Sequence, residues 1–412
     1  MAPVLQASSA SQIPHFSPAE LSYLYTSLAL PDGSIRPDGR SPTQFRPLTA
    51  ETGILPGASG SARIGFADGT QAIVGIKAEV EKTVLPSDTL DLRQLHLQDQ
   101  ANYAGGDDAD GGRERSSATT GQSSWVQMSI EIPGFRDDDA LPVFLSEMMR
   151  ESLVGSAATA TGGTDGESRG KFAGLKGRLV INRRWHWRLY LDILLLSPPL
   201  SYPLPLLSLT THLALLSTRL PKLKSKKEED PLFDDDWNAA EYLYPRPSPA
   251  YDSRMGREGP SHQLVRPPVT LLIISAGDNI IFDPSREEIA VADSVLAVSI
   301  GREDEDPKAN NAKLKLLSIR TIDPPSRLTQ PGVPDSENAT TLAASTSTTA
   351  DEVGSQNPSS TAMGSGEEVP GVWRPRRGGV KRSLISRMVK MVLEKGGVGE
   401  EVMEGLEGVE VC

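Results

Sequence analysis

Paired strand-like runs joined by tight turns constrain the fold of this chain more than any other feature of its 412 residues. Residues 61–66 and 71–80 flank Asp68-Gly69, a strong hairpin signal. Two further pairs turn at Asn182-Arg183-Arg184 (178–182 with 185–196) and at Ala276-Gly277-Asp278 (269–275 with 279–283). Single strands are predicted at 125–132, 294–300 and 314–321. Hairpins with helices between them predict an α+β fold of layered sheets and helices, and they exclude a Rossmann sheet.

Five segments have the periodicity or the end signals of helices. The first begins at Ser17, because Ser17 suits the N-cap, Pro18 suits the first turn and Glu20 completes a capping box. Pro31-Asp32-Gly33 ends this helix. The other predicted helices are 141–154, 206–220, 383–393 and 400–406, of which 206–220 is rich in leucine and is expected to be buried.

Four long loose tracts interrupt these elements, at 86–124, 155–170, 222–266 and 322–370. The chain has 37 glycines and 32 prolines, and 322–370 contains no aromatic residue, so these tracts bury too little apolar surface to order themselves. Strand-rich segments lie on both sides of each tract, which indicates insertions in one domain. The predicted organisation is a disordered N-terminus at 1–16, a domain at 17–321, a disordered linker at 322–370 and C-terminal helices at 371–412 that complete the domain.

Charge and cysteine content exclude several classes of protein. A net charge of −12 argues against coating of duplex nucleic acid by bulk attraction, so any RNA contact has to be local. Cys412 is the only cysteine and the histidines have no ligand spacing, so neither a disulfide framework, a metal site nor a cofactor is predicted. Residues 1–16 lack a secretory signal, and prolines interrupt the uncharged stretch 193–218. A soluble intracellular protein without a membrane span is expected.

Several motifs, in order along the chain, resemble those of the RNase PH family. The N-terminal ones are Arg36-Pro37-Asp38-Gly39-Arg40, Phe45-Arg46, Gly60-Ser61-Ala62-Arg63 and Asp68-Gly69-Thr70. Within that family, the chain is similar to the non-catalytic ring subunits of the eukaryotic RNA exosome, of the ribosomal RNA-processing forty-two type. That similarity lies in residues 74–80, 187–192, 217–221 and 282–288.

The resemblance implies an RNase PH-like (ribosomal protein S5 domain 2-like) α+β domain that pairs edge to edge with a catalytic-like homologue. Three such pairs would form a hexameric ring. The implied function is structural support of 3′-to-5′ RNA processing and degradation, including ribosomal RNA maturation, in the nucleus, nucleolus and cytoplasm. The expected partners are other RNase PH-like ring subunits of the exosome, RNA and an associated 3′–5′ exoribonuclease.

Catalytic activity would need a phosphate-binding segment. The family's active members cleave RNA from its 3′ end with inorganic phosphate, which requires backbone N–H groups and arginines to hold phosphate, with carboxylates nearby. The resemblance places that segment at 197–205, where Pro198, Pro199, Pro203 and Pro205 lack N–H donors. No basic residue follows until Arg219. The chain is therefore predicted to be inactive.

Three carboxylates support an alternative, an active phosphate-dependent 3′–5′ exoribonuclease. Asp283, Glu287 and Asp293 follow a predicted strand near where active relatives carry acidic catalytic groups, and this enzyme would use Asp283 and Asp293 with Arg40. The competing interpretation is turn and helix-start chemistry, since Asp283 precedes Pro284 and Glu287 falls in a first helical turn. A third hypothesis is a stand-alone adaptor that acts through its loose tracts.

Five arginines are predicted to bind RNA: Arg36, Arg40, Arg374, Arg376 and Arg377. For Arg36 and Arg40, which the resemblance places near the RNA-side surface, an internal Arg–Asp pair that holds the turn is an equal alternative. The other three open a run of seven basic residues in seventeen positions that contains no acid and ends at Lys390. This run would contact RNA phosphates, direct nuclear import, or form the solvated face of a helix.

Two groups on the predicted strands have competing interpretations. Trp185, Trp187 and Tyr190 would stack on bases, or pack in the core or at a subunit interface. Lys77 and Glu79 alternate on a strand, which favours an interface ion pair or a solvated face over catalysis.

Overall fold

A computed structural model describes residues 16–31, 33–83, 121–155, 175–182, 184–225, 229–244, 266–303, 313–322, 373 and 379–410. Within these residues, a five-stranded sheet and a four-stranded sheet both pack against one buried helix. The predicted α+β fold class is confirmed.

The strands are, in chain order, β1 (Leu48–Thr52), β2 (Gly60–Phe66), β3 (Gln71–Lys82), β4 (Val126–Glu131), β5 (Trp185–Leu195), β6 (Arg219–Leu220), β7 (Glu241–Tyr242), β8 (Val269–Ala276), β9 (Asn279–Phe282), β10 (Ser294–Glu303) and β11 (Lys313–Ile322). The α-helices are α1 (Pro18–Leu28), α2 (Ala140–Gly155), α3 (Leu175–Arg178), α4 (Leu204–Ser217), α5 (Arg286–Val291), α6 (Arg382–Leu393) and α7 (Val398–Glu407).

The five-stranded sheet has the strand order β1-β2-β3-β5-β4. Its neighbouring strands are antiparallel except β4 and β5, which are parallel. The hairpin predicted at Asp68-Gly69 joins β2 to β3, and Gly69 supplies the left-handed conformation of the turn with a φ of 88°. β3 pairs with β5 from Ala72↔Leu195 to Lys82↔Trp185, so these two long strands form the centre of the sheet.

The four-stranded sheet has the order β11-β10-β8-β9 and is antiparallel throughout. The predicted hairpin at Ala276-Gly277-Asp278 joins β8 to β9, and Gly277 has a φ of 59°. Every residue of β8 is buried, because this central strand is covered on both faces. The sheet therefore supplies a large share of the core.

Helix α4 is buried along its whole length. It packs against β2 and β3 of one sheet and against β8 of the other, so none of its faces is exposed to solvent. Its C-terminal end lies very close to β2: a Cβ atom on Gly60 would be 2.6 Å from the Thr218 Cα atom. Pro203 and Pro205 are at the start of the helix, where a missing N–H breaks no helical hydrogen bond.

The outer helices follow their end signals. The capping box predicted for α1 is present, since the Glu20 backbone N–H donates to Ser17 Oγ and the Ser17 N–H donates to Glu20 Oε2. α1 packs against α5. The two predicted C-terminal helices are α6 and α7, which pack against each other, and α6 also contacts β11.

The strand predicted at 178–182 is wrong. Residues Leu175–Arg178 form the short helix α3, and a single bridge between Val180 and His186 replaces a strand. The Asn182 side chain accepts hydrogen bonds from the N–H groups of Arg184 and Trp185, which tightens the turn at the expense of longer pairing.

The loose tract predicted at 222–266 also needs correction over the part that the structure describes. β7 pairs with β6, and Phe233 lies on the Trp187 ring with 5.0 Å between the ring centroids. Tyr244 is only 1% exposed. Aromatic side chains therefore anchor residues 229–244 to the core. Most of the tracts 86–124, 155–170 and 322–370, and residues 1–15, lie outside the described residues. None of the helices that the structure describes is long and apolar enough to cross a membrane.

Candidate functional site: an arginine–carboxylate cluster

Asp283 is the centre of a buried cluster of arginines and carboxylates. It follows β9 directly and precedes the N-cap of α5, and it is 1% exposed. Its φ of 44° makes it the sole non-glycine residue with a positive φ in the described part of the chain. Such a conformation costs free energy, so the contacts of its side chain have to compensate for the strain.

Both oxygens of the Asp283 carboxylate accept strong hydrogen bonds. Oδ2 accepts from Arg40 Nη1 at 2.8 Å, from the Arg46 backbone N–H at 2.9 Å and from Arg46 Nε at 3.0 Å. Oδ1 accepts from Arg46 Nη2 at 2.7 Å. Two guanidiniums and one amide therefore occupy the acceptor sites of this carboxylate.

Arg46 connects the cluster to the proline-rich segment. Its Nη1 donates to Asp68 Oδ2 at 2.7 Å and to Ser201 Oγ at 2.8 Å, and its guanidinium lies 4.3 Å from the centroid of the Phe66 ring. Burial lowers the pKa of Arg46, but hydrogen bonds and the charges of Asp283 and Asp68 outweigh burial and hold it above its ordinary value. Burial raises the pKa of Asp68, but bonds from Thr70 and the charge of Arg46 leave it below its ordinary value. Both groups are charged at neutral pH.

A second ion pair lies deeper in the same region. Arg36 donates to Glu288 from Nε at 2.7 Å and from Nη2 at 2.8 Å, a bidentate geometry. Both side chains are fully buried. Arg36 also donates to the carbonyl oxygens of Phe282 and Asp283, and Glu288 accepts from the N–H of Ser285 as part of a second capping box. This pair fixes the segment after α1 to the start of α5.

The charges of the cluster balance almost completely. Its ion pairs join Arg36, Arg40 and Arg46 to Asp38, Asp68, Asp283 and Glu288. Three guanidiniums thus face four carboxylates, so the cluster carries no excess positive charge that would attract a phosphate.

The proline-rich segment differs in one respect from the prediction. No basic residue lies within it in sequence, yet Arg46 reaches Ser201 from a distant segment. Tyr202, next to Ser201, is largely buried, and burial raises the pKa of its phenol. The Arg46 guanidinium that contacts this segment is therefore already held by two carboxylates, those of Asp68 and Asp283.

Comparisons with known proteins agree with the motifs. No protein-family model matches the chain. The exosome complex component RRP42 of Saccharomyces cerevisiae is 28% identical over 288 residues, which are 69% of this chain and 80% of that protein. The exosome complex component rrp42 of Schizosaccharomyces pombe is 29% identical over 285 residues, 68% of this chain and 77% of that protein. The chain is therefore similar to these RRP42 components over more than two thirds of its length.

Solved structures similar to this chain include two archaeal assemblies. A chain of the Archaeoglobus fulgidus exosome with RNA bound to the active site is 19% identical, with a TM-score of 0.41, over 74% of this chain and 86% of that one. A chain of an archaeal exosome core is 18% identical, with a TM-score of 0.39, over 74% of this chain and 84% of that one.

The structure does not bring together Asp283 and Asp293, the two carboxylates proposed for the enzymatic alternative. Asp293 accepts from the Gly277 N–H at 2.7 Å and from the Tyr25 hydroxyl at 3.3 Å, beside the turn before β9, whereas Asp283 follows the other end of that strand. A four-residue strand is about 14 Å long. Glu287 is half-buried in the first turn of α5, as the competing interpretation predicted. In the part of the chain that the structure describes, no three His, Cys, Asp or Glu side chains are grouped so that they could hold a metal ion.

The arginines predicted to bind RNA fall into two groups. Arg36 is 3% exposed and the Arg40 side chain 8% exposed, and both guanidiniums are engaged by Glu288, Asp38 or Asp283. Their placement favours the alternative of an internal pair over RNA binding, because buried, paired guanidiniums are not available to phosphates. Three predicted residues lie outside the described residues: Arg374, Arg376 and Arg377.

The aromatic residues of β5 do not form one stacking platform. Trp187 is 8% exposed and packs on Phe233. Tyr190 lies on the opposite face of β5, where Arg188 covers its ring. Trp185 is half-buried, and its indole N–H donates to Asp230. Core packing accounts for Trp187, and Lys77 and Glu79 form an exposed ion pair as one interpretation predicted.

Proposed function

We propose that this chain is a non-catalytic subunit of an RNA exosome core ring. In this role it completes a hetero-oligomeric ring of RNase PH-like subunits and supports 3′-to-5′ processing and degradation of RNA, including ribosomal RNA maturation. RNA and an associated 3′–5′ exoribonuclease are the further partners. The proposal includes action in the nucleus, nucleolus and cytoplasm. Similarity to exosome components of two yeasts over more than two thirds of the chain supports the assignment to the ring.

The main support for a non-catalytic role is that both carboxylate oxygens of Asp283 already accept hydrogen bonds from arginines. A carboxylate that assists proton transfer or binds a metal needs a free oxygen lone pair directed at the reacting group. Here Arg40 and Arg46 occupy both oxygens and Asp283 is buried. The two arginines therefore leave neither oxygen of Asp283 free for a reacting group.

Phosphate binding is opposed in the same place. A phosphate beside Asp68 and Asp283 would be repelled by two negative charges at short range, and Arg46 is already engaged by both carboxylates. The four prolines of 197–205 contribute no N–H groups that would replace the missing donors. The charge repulsion and the missing N–H donors both disfavour a bound phosphate nucleophile.

The competing proposal is an active phosphate-dependent exoribonuclease, and a product assay separates the two. The purified full-length chain is incubated with single-stranded RNA with and without inorganic phosphate, and nucleoside diphosphates are measured. We expect none under either condition. Phosphate-dependent diphosphate release that disappears in an Asp293→Asn variant, but persists in an Asp138→Asn control on the exposed surface, would establish the enzymatic alternative.

A further inference from the structure

Helix α6 presents a basic face that folding alone does not explain. Residues 381–390 contain Lys381, Arg382, Arg387 and Lys390 and no acidic residue, in a chain whose net charge is −12. All four side chains are exposed. The α6 face defined by these four residues is called the basic face below.

The orientation of the basic face is fixed by the opposite side of the helix. Met388 and Val392 are completely buried, and Leu384 and Ile385 pack against the core beside them. α6 is also held by α7 and by β11. Because the apolar side is anchored at both ends, the four cations have a defined position on the surface.

Two of the cations occupy positions that weaken the helix. Lys381 is the N-cap and Arg382 is the first helical residue, and the first turn of α6 contains no acid and no side-chain cap. Positive charge at a helix N-terminus opposes the helix dipole. By contrast α1, α5 and α7 all carry glutamate in their first turns. Lys381 and Arg382 therefore work against the stability of the first turn of α6.

Neighbouring acids do not neutralise the basic face. Lys381, Arg382 and Lys390 form no ion pair with any residue in the described ranges, while Arg387 donates to the carbonyl oxygen of Asp278. On the adjacent helix α7, Glu407 is engaged by Arg266 and Arg302, and Glu400 accepts from the Gly396 N–H. Three of the four cations are therefore exposed and without an ion pair among the described residues.

We infer that the basic face of α6 binds the phosphodiester backbone of single-stranded RNA. Its first and last cations, Lys381 and Lys390, are nine positions apart, about 14 Å along the helix axis, which spans several successive phosphates. Contacts of this kind bind without reading sequence, because exposed lysines and arginines on a regular helix meet phosphates and not base edges. The choice of RNA over another polyanion rests on the proposed function. An acidic protein surface is the competing occupant.

Charge-removing variants and the salt dependence of binding test this inference. The triple variant Arg382→Gln, Arg387→Gln, Lys390→Gln removes three charges from exposed positions. The control Arg136→Gln, Arg184→Gln, Lys222→Gln removes three exposed charges elsewhere. Both are compared with the unmodified full-length chain, alone and within the complex that it co-purifies with, using a fluorescent single-stranded RNA at several salt concentrations.

Loss of three phosphate contacts should reduce the slope of log K against log salt by about 2 relative to the control, with the largest affinity loss at low salt. Equal slopes for variant and control, or no RNA binding by either form of the unmodified chain, would overturn the inference. Unchanged RNA binding together with loss of one protein from the complex would also overturn it, in favour of the acidic protein surface. If the chain enters no ring but the slope changes in the isolated chain, the proposed function fails while the inference stands.

Discussion

Breaking the ion pair between Arg36 and Glu288 should destabilise the protein strongly. Both side chains are fully buried, and two short hydrogen bonds join them. In a Glu288→Leu variant the Arg36 guanidinium loses its bidentate partner and keeps as a counter-charge only Asp38, which is 3.7 Å away and partly exposed. Removing one partner of a buried ion pair usually costs about 3–5 kcal/mol. The variant also removes the acceptor of the Ser285 N–H, which adds about 1 kcal/mol. We therefore expect the free energy of unfolding to fall by about 4–6 kcal/mol.

The double variant Arg36→Met, Glu288→Leu separates the cost of the unpaired charge from the cost of the other lost contacts. Without a charge on either partner, the loss should be smaller than that of Glu288→Leu alone. It should not vanish, because the carbonyl oxygens of Phe282 and Asp283 lose the donors that Arg36 supplies.

Urea unfolding of the full-length chain, followed by the fluorescence of the buried Trp125 and Trp187, measures these differences. Asp138→Asn is the control, since its ion pair with Arg136 is exposed and should contribute little. A Glu288→Leu variant as stable as this control would refute the reasoning. A double variant at least as destabilised as Glu288→Leu would refute the claim that the unpaired charge is the main cost.

Two further predictions concern other parts of the fold. His186 is buried and stacked on Trp125 at 4.1 Å, beside Thr83 and Glu81, and burial lowers its pKa although the charge of Glu81 raises it. Because the unfolded chain binds the proton at a higher pH than the folded chain, the free energy of unfolding should fall as the pH drops below the ordinary histidine pKa of 6.5. Urea unfolding at pH 7.5 and 5.5 should therefore show a smaller fall for His186→Asn than for the unmodified chain. An equal fall in the two proteins would contradict this prediction. Gly60→Ala should lower the free energy of unfolding by about 1–3 kcal/mol, because the new Cβ atom would overlap Thr218. Gly155→Ala, with open space around it, is the control and should leave the free energy of unfolding unchanged. Equal effects of the two substitutions would contradict the close approach of α4 to β2.

Local signals in the sequence predicted most of the elements. The capping box of Ser17 and Glu20, the Asp68-Gly69 turn and the leucine-rich helix 206–220 each depend on residues within a few positions, and each is present with small shifts of boundary. The strand predicted at 178–182 failed because the Asn182 side chain competes for the backbone groups that a hairpin would pair.

The site could not be predicted to the same extent, because its contacts join distant segments. Arg46 and Asp283 are 237 positions apart, and Arg36 and Glu288 are 252 apart. Arg46 and Glu288 stood within motifs that resemble the RNase PH family, yet no local pattern indicated that they pair with buried partners. Ser201 had no signal at all, since its contact with Arg46 depends on how the segment before α4 lies on the β2–β3 turn.

The assembly of the native complex tests the central claim most directly. The chain is purified by a tag from native extract at moderate salt, and the intact complex is analysed by native mass spectrometry. The account predicts one hetero-oligomer that contains a single copy of this chain with several RNase PH-like proteins. A monomer, a homo-oligomer or a complex without RNase PH-like proteins would contradict it.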